Sequence, residues 1–180
     1  MNPSNDQIIL DTERWLEKAV IGLNLCPFAK AVHIKKQVRY VVSEARNIDV
    51  LIETLIIELE TLAEADPAKL ETTLLIHPCV LGDFMAYNDF LEIADAVLEE
   101  LKLDGILQIA SFHPQYQFEG SDMDDIDNYT NRSPYPTLHL LREDSIAKAV
   151  EVFPEADVIV DRNIATLRAI GLDGWKKLWQ

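Results

Sequence analysis

The stretch from Thr72 to Pro114, TTLLIHPCVLGDFMAYNDFLEIADAVLEELKLDGILQIASFHP, decides the fold. It opens with five residues, Thr72 to Ile76, that are almost all apolar and β-branched or leucine, as a strand covered on both faces requires. His77-Pro78 closes that strand, because proline brings no backbone donor and fixes its own φ. Asp83 is placed to cap a helix running to about Leu103. Phe84, Tyr87, Phe90, Leu91, Ala94, Val97, Leu98 and Leu101 fall on its inner face. Asp104-Gly105 stops the helix, and Ile106 to Phe112 is a second strand, closed by His113-Pro114. A strand, a helix and a strand with short joints read as a right-handed βαβ unit with neighbouring parallel strands.

The same alternation extends upstream. Val38 to Val42 is a strand candidate, and Asn47 can cap a helix with Val50, Leu51, Leu55, Leu59 and Leu62 inward, stopped at Asp66-Pro67. Before it, Asp6 to Leu23 forms an amphipathic helix with Ile8, Ile9, Trp15, Leu16, Ala19, Val20 and Leu23 on one broad face. Gly22 and Asn24 end it, and Cys26-Pro27 turns the chain. Downstream, Thr137 to Leu141 is a fourth strand. Helices follow over 144–152 and 157–170, and a terminal turn carries Trp175 and Trp179. The expected fold is α/β: two or three layers around a four-stranded mixed sheet built from consecutive βαβ units. An extra N-terminal helix and C-terminal helices complete it. Residues 1–180 read as one domain.

Composition narrows the function. The chain has 180 residues, 48% of them apolar and 26% charged, the proportions of an ordinary globular protein. With 16 basic and 31 acidic residues its net charge is −15, the wrong sign for steering toward nucleic acid or anionic lipid. No partner of either kind is expected. Cys26 and Cys79 are too few for a disulfide framework. The first residues lack the pattern of a signal peptide, and no apolar run approaches the ~20 residues of a membrane span. A cytoplasmic location is expected.

Ligands of open α/β sheets bind beyond the strand carboxyl ends. His77 and His113 both sit at such ends, so they are the first catalytic candidates. On neighbouring strands they would project into one cleft as acid/base groups or metal ligands. Cys26 is the candidate nucleophile, with a buried structural thiol as its alternative. Cys79 lies close enough to His77 to join a metal set, though three ligands fall short of a structural zinc site. The long polar connection 114–136 supplies substrate-binding candidates: Tyr116, Asn128, Asn131 and Arg132, with His139 on the strand after. Arg132 is suited to hold a carboxylate or phosphate in the cleft of the two histidines. Asp122 to Asp127 lacks the ligand spacing of an EF-hand and reads as a flexible solvated lid. The run Lys30, His33, Lys35, Lys36 and Arg39 reads as a solvated amphipathic segment. No Walker, Rossmann or G-x-S-x-G pattern occurs.

Several words of the sequence carry a resemblance. They are Asn24 to Ala29 (NLCPFA), His77-Pro78, Asp83-Phe84, Tyr87 to Phe90 (YNDF), Ala110 to Pro114 (ASFHP) and Asn131 to Pro136 (NRSPYP). Together they resemble a bacterial family catalogued as domain of unknown function 1415, over nearly the whole chain. The resemblance implies a stand-alone domain of a bacterial cytoplasm and supplies no catalytic residues. The residues themselves point to a small-molecule enzyme or ligand-binding protein with an anionic ligand at the strand ends. A protein-interaction domain using the aromatic loop 114–136 is the alternative. Cofactor, metal and oligomeric state stay open.

Overall fold

A computed structural model describes residues 3–152 and 158–180. Helix α1 (Asn5–Trp15) starts where the Ser4 side chain accepts the Gln7 amide. It runs into a π-helical turn, Leu16–Ile21, which keeps Leu16, Ala19 and Val20 turned inward. Gly22 is required where this turn unwinds, because a Cβ there would collide with the Lys18 carbonyl oxygen. After a loop, α2 (Ala29–Ile34) leads to β1 (Val38–Val42). The basic run is thus partly helical, and two of its members are paired. His33 Nε2 lies 3.1 Å from Glu17, and Arg39 grips Glu58 through Nε at 2.8 Å and Nη2 at 3.1 Å.

Next come α3 (Ile48–Glu64), β2 (Thr72–Ile76), α4 (Phe84–Glu100) and β3 (Leu107–Phe112). Asn47 and Asp83 cap the two long helices by accepting the amides of Val50 and Ala86. Of the residues expected on the inner face of α3, Leu51, Leu55, Leu59 and Leu62 are fully buried, whereas Val50 is exposed at the first turn. A 3₁₀ turn, Ile126–Thr130, then precedes β4 (Thr137–Arg142), α5 (Glu143–Val152) and α6 (Ile159–Lys177). The expected start of this last helix at Asp157 lies outside the described residues. Its C-terminal part continues past the expected end at Ile170, bent at Gly171 (φ 61°, ψ −177°), a conformation reserved for glycine. The bend turns Trp175 back under the sheet.

The four strands form one mixed sheet in the order β1-β2-β4-β3. β1 and β2 are parallel, and β4 runs antiparallel to both β2 and β3. The expectation that the strands ending in His77 and His113 are neighbours is therefore corrected: β4 lies between them. The long 114–136 connection lets the chain reverse and enter the gap, and the apolar Leu138 and Leu140 are completely buried there.

The sheet is covered on both sides, giving three layers. On one face Val41, Leu75, Leu138, Leu140, Leu107 and Ile109 pack against α3 and α4. Each leucine buried there contributes about 1.5–3 kcal/mol relative to exposure. Arg142 ties this layer at its end, the two protons of its Nη2 shared among the carbonyls of Leu62, Ala65 and Leu70 at 2.7, 2.9 and 3.0 Å. On the other face Tyr40 and Phe112 meet Trp15, Leu16, Ala19, Val20, Leu25, Leu167 and Trp175.

The connection 114–136 is held from within: Asp122, Met123 and Asp124 are exposed, as a solvated segment requires, but Asp127 is buried, which corrects the solvated lid expected over Asp122–Asp127 at that end. Asn128 is fully buried; its Oδ1 accepts from the Phe118 amide and the Ser121 hydroxyl, and its Nδ2 donates to the Asp122 carbonyl. Asp127 pairs bidentately with Arg168 of α6. Asn131 Nδ2 donates to the Ser111 carbonyl at 3.1 Å, binding the loop to β3. No helix among the described residues is long and apolar enough to cross a membrane.

Candidate functional site

His77 and His113 follow Ile76 and Phe112, so both rings turn toward the α4 side of the sheet. Each is completely buried. Tyr87 of α4 stands between them, its ring centroid 5.7 Å from His77 and 5.0 Å from His113. The Tyr87 hydroxyl donates to the Thr137 carbonyl at 2.8 Å and accepts the Phe112 amide at 3.1 Å. It thus bridges the last residue pair of β3 and β4.

The bonds of the two rings fix their protonation. His113 Nε2 is 3.1 Å from the Leu81 carbonyl and so carries the proton, while Nδ1 accepts the Gln115 amide at 3.0 Å. Burial holds its pKa below the ordinary histidine range, against the opposing Leu81 bond. His77 Nδ1 donates to the Val80 carbonyl at 3.1 Å, and its Nε2 is buried with no hydrogen-bond partner. Burial pulls its pKa down to about 4, partly offset by the Val80 bond and reinforced by nearby His113. Both imidazoles are neutral at neutral pH.

Arg132 is elsewhere. Its Nε donates to the Tyr116 carbonyl and Nη2 to that of Met123, and its guanidinium lies over the Tyr129 ring, 4.4 Å from the centroid. It lines an open cleft of about 420 Å³ beyond the carboxyl end of β3, beside Arg14 and Trp15 of α1 and Trp175 and Trp179 at the C-terminus. Neither His77 nor His113 borders this cleft, so the single site combining them with Arg132 is not what the fold assembles.

A second cavity, of about 460 Å³, lies on the other sheet face. Its floor is Leu74, Phe112, His139 and Leu141, with Leu74 directly opposite His139 across the β2–β4 pair. Trp15, Leu16 and Val20 cover it, the segment Cys26 to Ala29 closes one side, and Ile146 and Ala149 of α5 close another. His139 Nε2 is 2.7 Å from the Thr72 hydroxyl oxygen, whose single proton goes to the Leu140 carbonyl at 2.6 Å. Nε2 must therefore donate, which leaves Nδ1 as the acceptor of a neutral ring. Burial brings the His139 pKa down to about 4.

One family model covers nearly the whole chain. It is described as a protein of unknown function (DUF1415) and matches residues 7–177. The chain belongs to this family. No curated protein and no solved structure matches the chain.

Within this DUF1415 chain the candidate residues fall into three groups. His77 and His113 form a buried stack with Tyr87. Arg132, Asn128 and the Tyr116 carbonyl take part in the internal bonding of the 114–136 connection, Asn131 ties it to β3, and of these residues only Arg132 lines either of the two cavities described. Cys26 and His139 share the wall of the apolar cavity, Cys26 half-buried and Cys79 exposed on the opposite layer. Among the described residues no three His, Cys, Asp or Glu side chains gather as a metal set. His139 of the cavity floor was among the sequence candidates, whereas Arg14, Leu74, Phe112 and Leu141 were not singled out as site residues, and Trp15 was read only as core. The available signal was the mostly apolar β2, which demands cover on both faces, together with the small residues Ala29, Ala31, Ser145 and Ala149 around the cavity.

Proposed function

We propose that this chain is a small-molecule-binding protein whose principal site is the apolar cavity over Leu74 and His139. The carrying observation is a half-open, mostly apolar cavity whose floor holds one neutral imidazole, hydrogen-bonded to the Thr72 hydroxyl. Such a setting suits a compact, mostly apolar molecule with one donor group directed at His139 Nδ1. The volume falls within the ~300–1,000 Å³ typical of small-molecule sites. The reading keeps the small-molecule ligand expected from the sequence and moves it from the strand ends to the sheet face. A second reading, thiol catalysis, rests on Cys26 and His139 lining the same cavity.

The test uses a Cys79→Ser background, so that Cys26 is the remaining thiol, and the neutral apolar dye N-phenylnaphthylamine. Saturable binding with fluorescence enhancement is expected, and the bound dye should slow alkylation of Cys26 by iodoacetamide. Ala149→Phe, or Ala29→Phe from the α2 side, fills the space and should weaken dye binding about tenfold, ~1.4 kcal/mol. Equal dye binding in both filled variants, or no protection of Cys26, would defeat the reading. Alkylation of Cys26 faster than that of an ordinary thiol of pKa ~8.5 would put catalysis first.

A further inference from the structure

We propose that the cleft holding Arg14 and Arg132 is a second, separate site, which takes a planar aromatic monocarboxylate. In a chain of net charge −15, two guanidinium groups converge on one cleft, and among the described residues neither makes an ion pair. Arg132 is pre-set by its two carbonyl acceptors and by the Tyr129 ring beneath it, which leaves its remaining N–H groups with a fixed direction. Arg14 is exposed and spends one donor on the Trp179 carbonyl at 2.6 Å. A fully anchored fork beside an exposed one that keeps donors free is a geometry for bidentate capture of a carboxylate.

The third charged group on the lining sets the charge of the ligand. Asp11 accepts from the Tyr135 hydroxyl at 2.7 Å and from Gln7 Nε2 at 2.8 Å. Burial, then the bond to Asp11, pushes the Tyr135 hydroxyl up to about 12, so it stays a donor and holds the carboxylate in place. Two guanidinium groups against one carboxylate leave a net of one positive charge, which matches a monoanion better than a phosphate dianion.

The walls set the shape. Trp15, Tyr129, Trp175 and Trp179 all face the cleft. Tyr129 meets Trp175 edge-on at 5.1 Å, and Trp175 meets Trp179 edge-on at 5.6 Å. Rings packed edge-on to one another build a continuous aromatic wall along the cleft, against which a flat ring gains contact. A flat ring bearing one carboxylate satisfies both the walls and the forks.

The chain has three tryptophans, and all three line this cleft; Trp15 also covers the apolar cavity, so intrinsic fluorescence reports this site with the cavity-filled Ala149→Phe variant as the control for the other. The probe is 4-nitrobenzoate, a quencher of indole emission, compared with neutral 4-nitrobenzamide. Saturable quenching by the acid is expected, at least about tenfold tighter than by the amide. Arg14→Gln, at an exposed position, should collapse that preference while leaving the weak amide binding unchanged. Arg132→Lys should reduce it as well, because an ammonium keeps the charge and loses the fork. Equal affinities for acid and amide would overturn the proposal, as would a preference that survives Arg14→Gln. Displacement of the acid by inorganic phosphate at equal concentration would also overturn it, by showing a general anion site. Ala149→Phe, which fills the other cavity, should leave this titration unchanged; a shift of more than about tenfold would show that the sites are not separate.

Discussion

Tyr87→Phe is expected to lower the free energy of unfolding by about 3 kcal/mol. The phenyl ring keeps the packing between His77 and His113, so the loss isolates the hydroxyl. That oxygen joins the Thr137 carbonyl to the Phe112 amide at the end of the β3–β4 ladder, and both bonds lie inside the protein. Without it a donor and an acceptor lose their partner together, each at a cost of about 1–3 kcal/mol. A urea titration of both proteins measures the difference, with an unchanged slope showing that the two unfold alike. A loss under ~0.5 kcal/mol would mean that Phe112 and Thr137 close directly onto each other.

Acid should destabilise the fold through its buried imidazoles. Above pH ~6.5 His77 is neutral in both the folded and the unfolded chain and has no effect on the balance. Between that value and its folded pKa of about 4, the unfolded chain takes up a proton that the folded chain refuses. Stability then falls by about 1.4 kcal/mol per pH unit, to about 3 kcal/mol in all, and levels off below. His139 acts in the same direction, since burial lowers its pKa likewise. Unfolding free energies measured from neutral pH to mildly acidic pH should drop less steeply in His77→Gln than in the parent. Proton spectra of the parent supply a check independent of any variant: the His77 ring signals should keep their neutral positions down to about pH 5. Titration of those signals near pH ~6.5 would refute the account.

What the sequence made legible was whatever is decided locally. Asn47 and Asp83 announce their helices because a cap is a bond between a side chain and an amide three residues on. The inner faces of α3 and α4 follow from helical spacing alone, and Val50 departs from it because a first-turn residue extends beyond the core. The place of β4 is not local. It depends on which sheet edge is still open when the chain returns, and no spacing inside residues 137–142 encodes that. The same limit hid the candidate sites. Cys26 and His139 meet only because α1, α2 and α5 fold over one sheet face, and Arg14 reaches Arg132 only through packing of the two termini. Arg132 looked like a ligand-binding arginine in a turn-rich loop. The acceptors it first satisfies are two carbonyls of that loop, a bond type that leaves no trace in residue identity.

The central position of β4 bears on how this chain is synthesised. Until residue 142 has emerged, β2 has a partner on one side only, and its other edge is a row of open amides and carbonyls on a strand whose five residues are all buried in the finished fold. Such an edge is a template for pairing with another chain. A nascent chain, or a product cut short before Thr137, carries that template uncovered, with α3 and α4 already able to form. Protection of the newly made chain from self-association therefore depends on the six residues of β4, and the last strand acts as the molecule's own chaperone.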